Sequence, residues 1–286
     1  MEATSRIALV TGATMAKPDP ETHLLVDALA RIGVEAVVTP WDAPVDWAVY
    51  PLVVVRTPWD YFKRLPEFLA WAERVSGLTA FVNPLSVIRW NSHKAYLRAL
   101  AGQGIATVPT LWLDRGAADA PARLAATGWD DVVVKPAVSI GAIGALRARA
   151  GDPACQAHLG ALVAEGDVLV QPFIPGVADG EVSLIYFGGA FSHAIRKVPA
   201  AGDYRVQDMY GGTNHAYAPA ADEVALATRA LAETPAPTAY ARVDMVRLPD
   251  GRPAVMELEL IEPELFLGVA PDAPARFAEV LRRHVS

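Results

Sequence analysis

Three carboxylates and an arginine near the end of the chain stand on two short apolar runs. These are Ala-Arg-Val-Asp-Met-Val, residues 241–246, and Val-Met-Glu-Leu-Glu-Leu, residues 255–260. Leu248-Pro249-Asp250-Gly251-Arg252-Pro253 separates them, and Asp-Gly between apolar runs is a hairpin signal. With Asp250-Gly251 as the turn, Asp244 faces Glu257 and Arg242 faces Glu259. Strand side chains alternate faces, so Glu257 and Glu259 share one. Like charges set opposite each other destabilise a ladder unless something neutralises them. An Asp and two Glu offer hard oxygen ligands that suit Mg²⁺ better than zinc. A solvated acidic edge fits the same residues.

Other residues bear on a phosphate partner. Lys135 ends an apolar strand and precedes Pro-Ala-Val-Ser-Ile-Gly-Ala-Ile-Gly. Its small residues, Ser139 and Gly141 among them, can lay backbone N–H groups over a polyphosphate, although a surface loop would read alike. Lys94 near a helix start is disfavoured by the helix dipole, which suggests an anionic partner. Gln171-Pro172-Phe173-Ile174 leaves another buried strand and can hold a flat base through its backbone against an apolar wall. Glu181 follows within reach of a ribose hydroxyl. Arg196, Lys197 and Arg205 bracket Gly202-Asp203-Tyr204 and can neutralise a transferring phosphoryl group, or simply be solvated. In the first third, Arg56 can pair with a carboxylate and Asp60 with an ammonium beside Trp59 and Tyr61. Those two aromatics fit a domain interface equally well.

Composition limits the alternatives. The chain has 286 residues, a net charge of −7 and one cysteine, Cys155. There is no basic stripe for nucleic acid, no disulfide or thiolate zinc site, and no stretch long enough to span a bilayer. The start of the chain lacks a signal-peptide core, so a soluble cytoplasmic protein is expected. The six histidines lack zinc-helix spacing. After the first strand Thr11-Gly12-Ala13-Thr14 stands where a dinucleotide fingerprint would be.

The elements that must position these residues alternate at first. Strands are expected at 6–12, 34–38, 52–55 and near 81–82, with helices around 23–29 and 67–75. That order implies a parallel sheet covered on both faces, with ligands beyond the strand ends. Arg56–Tyr61 reads as such a loop. Asn83-Pro84 reads as a boundary, and Asn91-Ser92 as caps of a helix over 93–101. Strands follow at 110–113, 132–135, 168–171, 182–187 and 191–198. A helix over 222–232, the carboxylate hairpin and a helix over 275–284 complete a mixed α+β region.

The order of lysine, strand-end lysine with glycine loop, Gln-Pro-Phe-Ile, Glu181 and Asp…Glu-x-Glu resembles the ATP-grasp superfamily of carboxylate–amine ligases over residues 89–265. Arg-Thr-Pro-Trp-Asp-Tyr, Asn-Ser-His-Lys, Val-Lys-Pro-Ala-Val-Ser and Phe-Ser-His-Ala-Ile-Arg-Lys are similar to its O-ureido-serine cyclo-ligase group, in the glutathione-synthetase-like branch. The resemblance implies an ATP-grasp fold: a Rossmann-like substrate domain at 1–88, then an ATP-grasp domain at 89–286. The latter divides into a lid subdomain near 108–170 and a catalytic subdomain near 171–286.

By resemblance, Lys94, Lys135, Ser139 and Gly141 meet ATP phosphates, Gln171, Phe173 and Ile174 line the adenine pocket, and Glu181 binds ribose. Asp244, Glu257 and Glu259 hold two Mg²⁺ ions, with Mn²⁺ as a substitute. Lys197, Arg205 and Arg242 serve the phosphoryl and acyl-phosphate groups. Many relatives carry Asn where Glu259 stands. The implied reaction phosphorylates a carboxylate on an amino-acid-like substrate, and an amine then attacks the acyl phosphate. Loops 139–144 and 211–214 are expected to close over the nucleotide, in a homodimer. A nucleotide-binding sensor, or a ligase acting on a peptide tail, remains open on these residues.

Overall fold

The computed structural model describes residues 5–13, 19 and 21–285; Thr14 of the expected first turn lies outside them. The first region comprises β1 (Ser5–Thr11), α1 (Thr22–Arg31), β2 (Val34–Pro40), β3 (Leu52–Thr57), α2 (Leu65–Ser76) and β4 (Ala80–Val82). Its strands form a parallel sheet in the order β2-β1-β3-β4. Both faces are covered, as near-continuous apolar strands require. Ala8, Val10, Val53 and Val55 pack on Phe68, Trp71 and Val75 of α2. Ile7, Leu9, Leu52 and Val54 pack on Leu25 and Leu29 of α1 and on Phe277 and Leu281 near the chain's end.

β3 runs two residues past its expected end, to Thr57, which pairs with Thr11 of β1. Arg56 is therefore a buried strand residue and not part of a loop.

The second region contains α3 (Leu85–Asn91), α4 (Tyr96–Gly102), β5 (Leu111–Leu113), α5 (Ala120–Ala126), β6 (Asp131–Pro136), β7 (Leu146–Arg149), α6 (Pro153–Glu165) and β8 (Val168–Pro172). The antiparallel sheet β5-β8-β6-β7 buries Val132, Val134, Val168 and Val170 against α5 and α6. α5, α6 and β7 have no counterpart in the sequence reading. In α6 the alanines blur the helical stripe that Cys155, Leu159 and Val163 would otherwise show.

Asn91 and Ser92 end α3 instead of capping the next helix. The Asn91 side chain accepts from the Leu260 amide at 2.8 Å and donates to the Leu258 carbonyl at 2.7 Å. Lys94 thus lies in the turn between α3 and α4.

The third region holds β9 (Glu181–Phe187), β10 (Ala190–Val198), β11 (Thr213–Ala216), α7 (Ala221–Ala232), β12 (Tyr240–Arg247), β13 (Pro253–Glu259) and α8 (Ala273–Arg282). Its antiparallel sheet runs β11-β10-β9-β12-β13. Residues 213 and 214, expected in a closing loop, belong to the edge strand β11, where Asn214 opposes Lys197.

The first and third regions share a core, since α8 packs beside α1. Asn83, read as a boundary, is fully buried. It donates to the carbonyls of Tyr240 at 2.9 Å and Leu260 at 2.8 Å and accepts from the Ala239 amide at 2.7 Å. A side chain with three buried hydrogen bonds joins the regions rather than spacing them.

Candidate active site

The acidic hairpin has the expected pairs, Asp244 opposite Glu257 and Arg242 opposite Glu259. The turn, however, is longer than a two-residue Asp-Gly turn. The Leu248 amide donates to the Arg252 carbonyl at 2.9 Å, so Pro249, Asp250 and Gly251 form the loop, with Gly251 at φ +83°. This is the three-residue hairpin in which glycine supplies the left-handed residue. Next to the turn Arg247 faces Pro253 and Met245 faces Val255. A bulge between Asp244 and Met245, with Met256 as the extra residue on β13, then shifts the register back by one. Without it Glu257 and Glu259 would lie on the opposite face of the sheet.

The three carboxylates do not meet one another, because each turns to a cation. Asp244 accepts from Ser183 Oγ at 2.6 Å, Lys197 Nζ at 2.9 Å and Arg242 Nε at 2.9 Å. Glu257 pairs with Lys94 Nζ at 2.9 Å. Glu259 pairs with Arg242, and Glu181 with Lys197. Among the described residues no three acidic, histidine or cysteine side chains are grouped as metal ligands. The expectation that the fold alone gathers these carboxylates is corrected: lysine and arginine separate them.

Burial opposes ionisation of Asp244, yet Arg242 and Lys197 outweigh it and hold the carboxyl well below its usual range. Burial likewise opposes Glu257, which Lys94 and Lys135 bring below the ordinary glutamate value. For Glu259 burial prevails over Arg242 and pushes the carboxyl up to about 8. Lys197 stays cationic: burial would lower its pKa, but Asp244 and Glu181 raise it. Lys135 is pushed down by burial.

These groups face one cavity of about 520 Å³, the size of a small-molecule site. Lys94, Lys135, Ser139 and Gly141 line it, as do Gln171, Phe173, Ile174, Glu181, Lys197, Arg205, Arg242 and the three hairpin carboxylates. On the side of the second region, Gln171 donates to Thr110 Oγ1 at 2.9 Å, and Phe173 lies under the Arg147 guanidinium. Arg205 is tied to Asp203 and stacked on Tyr210 at 3.7 Å. Arg196 alternates away from Lys197 along β10 and covers Tyr217 instead.

Residues 122–236 match the model of the prokaryotic glutathione synthetase ATP-grasp domain, and residues 7–83 match that of the D-cycloserine synthetase DcsG N-terminal domain. The cycloserine biosynthesis protein DcsG of Streptomyces lavendulae is 36% identical over 299 aligned positions, 96% of this chain and 97% of that protein. The chain belongs to the DcsG family of ATP-grasp ligases. The crystal structure of D-cycloserine synthetase DcsG superposes with a TM-score of 0.89 at 34% identity, over 98% of this chain and all of that one. The D-alanine–D-alanine ligase of Bacillus anthracis, 17% identical with a TM-score of 0.67 over 98% of this chain and 96% of that one, shares the fold. As an ATP-grasp ligase the chain uses ATP and forms C–N bonds.

Of the four substrate residues expected in this ligase of the DcsG family, the cavity includes Trp59 and Tyr61 but not Arg56 or Asp60. Asp60 is buried, accepts from Trp41 Nε1 at 3.1 Å and abuts Gly12. Arg56, only 4% exposed, lies near the Tyr240 and Phe277 rings and donates to the Pro263 carbonyl at 3.2 Å. Both side chains are committed to the interior, Arg56 on β3 and Asp60 in the turn that follows it.

What Arg56 does is hold a segment that sequence reasoning passed over. Beyond β13 come Glu262 and Glu264, which also line the cavity. Their backbone is fixed from several elements. Tyr240 Oη donates to the Ile261 carbonyl at 2.9 Å, Trp59 Nε1 to Glu262 at 3.0 Å, and Arg242 Nη1 to Glu264 at 3.0 Å. Glu21 accepts from the amides of Leu265 and Leu267, and His193 Nε2 lies 2.9 Å from the Leu265 carbonyl. Burial pushes both Glu262 and Glu264 up to about 7. The signal was present as Glu-Leu-Glu-Leu-Ile-Glu-Pro-Glu, residues 257–264, whose acidic spacing continues past the strand.

Arg56→Ala is expected to lower the unfolding free energy by about 2–4 kcal/mol, through loss of the buried cation–π contacts and one hydrogen bond. Urea denaturation measures this. An unchanged midpoint with a selective rise in the KM of the carboxylate substrate would restore Arg56 to a ligand role.

Proposed function

We propose that this chain closes or joins an amino-acid-like molecule by activating its carboxylate with ATP, and that an O-ureido-serine-type substrate undergoing cyclisation is its reaction. The single observation supporting this reading is the full-length correspondence with DcsG, in both halves and in order. The chain is read as acting in the cytoplasm, as a homodimer.

Lys94 and Lys135 bind and neutralise the nucleotide phosphates. Gln171, Phe173 and Ile174 border the adenine, and Glu181 borders the ribose. Loop 139–144, in which Gly141 takes φ +57° and Gly144 φ +77°, covers the phosphates and excludes water. Asp244, Glu257 and Glu259 line the cavity and offer hard oxygens of the kind Mg²⁺ takes, two ions or Mn²⁺ in their place, and would hold it where it displaces their lysine and arginine partners; the metal would supply charge neutralisation at the phosphoryl oxygens.

Lys197, Arg205 and Arg242 orient the reacting groups and stabilise the charge that develops on the phosphoryl oxygens. A substrate carboxylate oxygen takes the γ-phosphoryl group and ADP leaves. The amine then attacks the acyl carbon, the C–O bond to phosphate breaks, and inorganic phosphate departs with formation of the C–N bond.

The test is incubation with ATP, Mg²⁺ and O-ureido-D-serine, with ADP, phosphate and cyclised product quantified. Hydroxylamine added to the mixture should divert the acyl phosphate to a hydroxamate. Formation of AMP and pyrophosphate, or no nucleotide turnover with this substrate, overturns the reading.

A further inference from the structure

Each carboxylate of the acidic hairpin has a cation beside it, but the cavity carries two more that do not. Glu257 takes Lys94, Glu181 and Asp244 take Lys197, and Asp244 and Glu259 take Arg242. Among the described residues neither Glu262 nor Glu264 has an ion pair: Arg242 reaches the backbone carbonyl of Glu264, not its carboxylate. The buried Tyr61 ring and the Glu262 side chain line the same cavity. Trp59 Nε1 fixes the backbone of Glu262 at 3.0 Å, and the carboxylate is left without an ion pair among the described residues.

Its surroundings select among cations. Trp59 and Tyr61 line the same cavity as Glu262, and Trp59 Nε1 donates to the Glu262 carbonyl. Aromatic rings beside a carboxylate attract an ammonium and add no hard ligands for a dehydrating divalent ion. The segment is also pre-organised, with the carbonyls of 260–265 held by side chains of Asn83, Tyr240, Trp59, Arg56, Arg242 and His193. A wall fixed this firmly loses little entropy when it binds. Glu262 shares the cavity with Lys94, Glu257 and Arg242, the groups proposed to serve phosphoryl transfer.

We infer that Glu262 receives the ammonium group of the substrate, beside the Trp59 and Tyr61 rings, and so makes this ligase prefer amino acids over their deamino counterparts. The inference rests on the reading of an amino-acid-like substrate given above.

The experiment compares kcat/KM for O-ureido-D-serine with that for the same molecule lacking its α-ammonium, in the wild-type chain, Glu262→Gln and Glu262→Asp. A charged hydrogen bond predicts that the wild-type preference falls about 10- to 100-fold in Glu262→Gln. Glu262→Asp keeps part of it, and the KM for ATP stays within about twofold in both. An unchanged preference in Glu262→Gln overturns the inference and leaves the proposed reaction standing. So does a raised Mg²⁺ requirement without loss of preference, which makes Glu262 a metal ligand. No ADP from the wild-type chain with the amino probe overturns the proposed reaction and this inference with it. Circular dichroism and urea midpoints of the variants separate misfolding from selectivity.

Discussion

Glu257→Gln is expected to reduce ADP formation by about 10³-fold or more while the fold persists. The substitution keeps the shape of the side chain and an oxygen that can still accept from Lys94, 2.9 Å away in the parent. What it removes is a full negative charge on the cavity wall, between Lys94 and Lys135 on one side and Asp244 across the ladder. Phosphoryl transfer depends on placement and charge neutralisation more than on covalent help, and a carboxylate that holds a divalent cation is central to both. The stability cost should stay near 1 kcal/mol, because the side chain is partly solvated and its partner keeps a second bond to the Ser139 carbonyl at 2.7 Å. Coupled-enzyme ADP assays over a Mg²⁺ series, beside urea curves, measure both quantities. Wild-type turnover at all Mg²⁺ concentrations would remove Glu257 from the proposed metal site.

Much of the cavity's lining was legible because its residues stand at the ends of apolar strands. Lys135 at the end of β6, Gln171 at the end of β8 and Glu181 at the start of β9 follow from reading where buried runs stop. Their convergence on one cavity follows from two sheets facing each other. The Asp244–Glu257 pairing was legible too, although a longer turn and a bulge at Met256 offset one another to produce it. Neither irregularity has a local signal: a bulge relieves a mismatch that exists only once both strands are packed.

Arg56 was misplaced for a related reason. A charged residue after four apolar ones looks like the end of a strand, and only a distant carbonyl and two distant rings make its burial tolerable. Its bond to Pro263 spans 207 positions and that of Glu21 to Leu265 spans 244. Glu262 escaped notice because the segment carrying it is irregular, shaped by such long-range bonds rather than by its own periodicity. The alternation in the first region needed no such help, since pairing and burial there are repeated at every second residue.

Lys197→Met should cost about 3–5 kcal/mol of folding stability, the largest such effect expected among the residues of the cavity. Methionine replaces the buried stem but not the ammonium, which is shared between Glu181 and Asp244 at the centre of β9, β10 and β12. Asp244 would retain Arg242 and Ser183, whereas Glu181, 7% exposed, has no other ion pair among the described residues. The deficit should therefore depend on pH. Burial already raises the Glu181 carboxyl, against the pull of Lys197, and losing Lys197 raises it further. An acid whose folded pKa lies above its unfolded value destabilises the fold progressively as pH rises past the unfolded value. The loss should be greatest at pH 8 and shrink toward pH 5, where Glu181 folds protonated. Combining the change with Glu181→Gln should recover about 1–3 kcal/mol at pH 8, as removal of the stranded charge requires. A deficit that is equal at both pH values and unaffected by the second substitution would assign Lys197 a packing role instead.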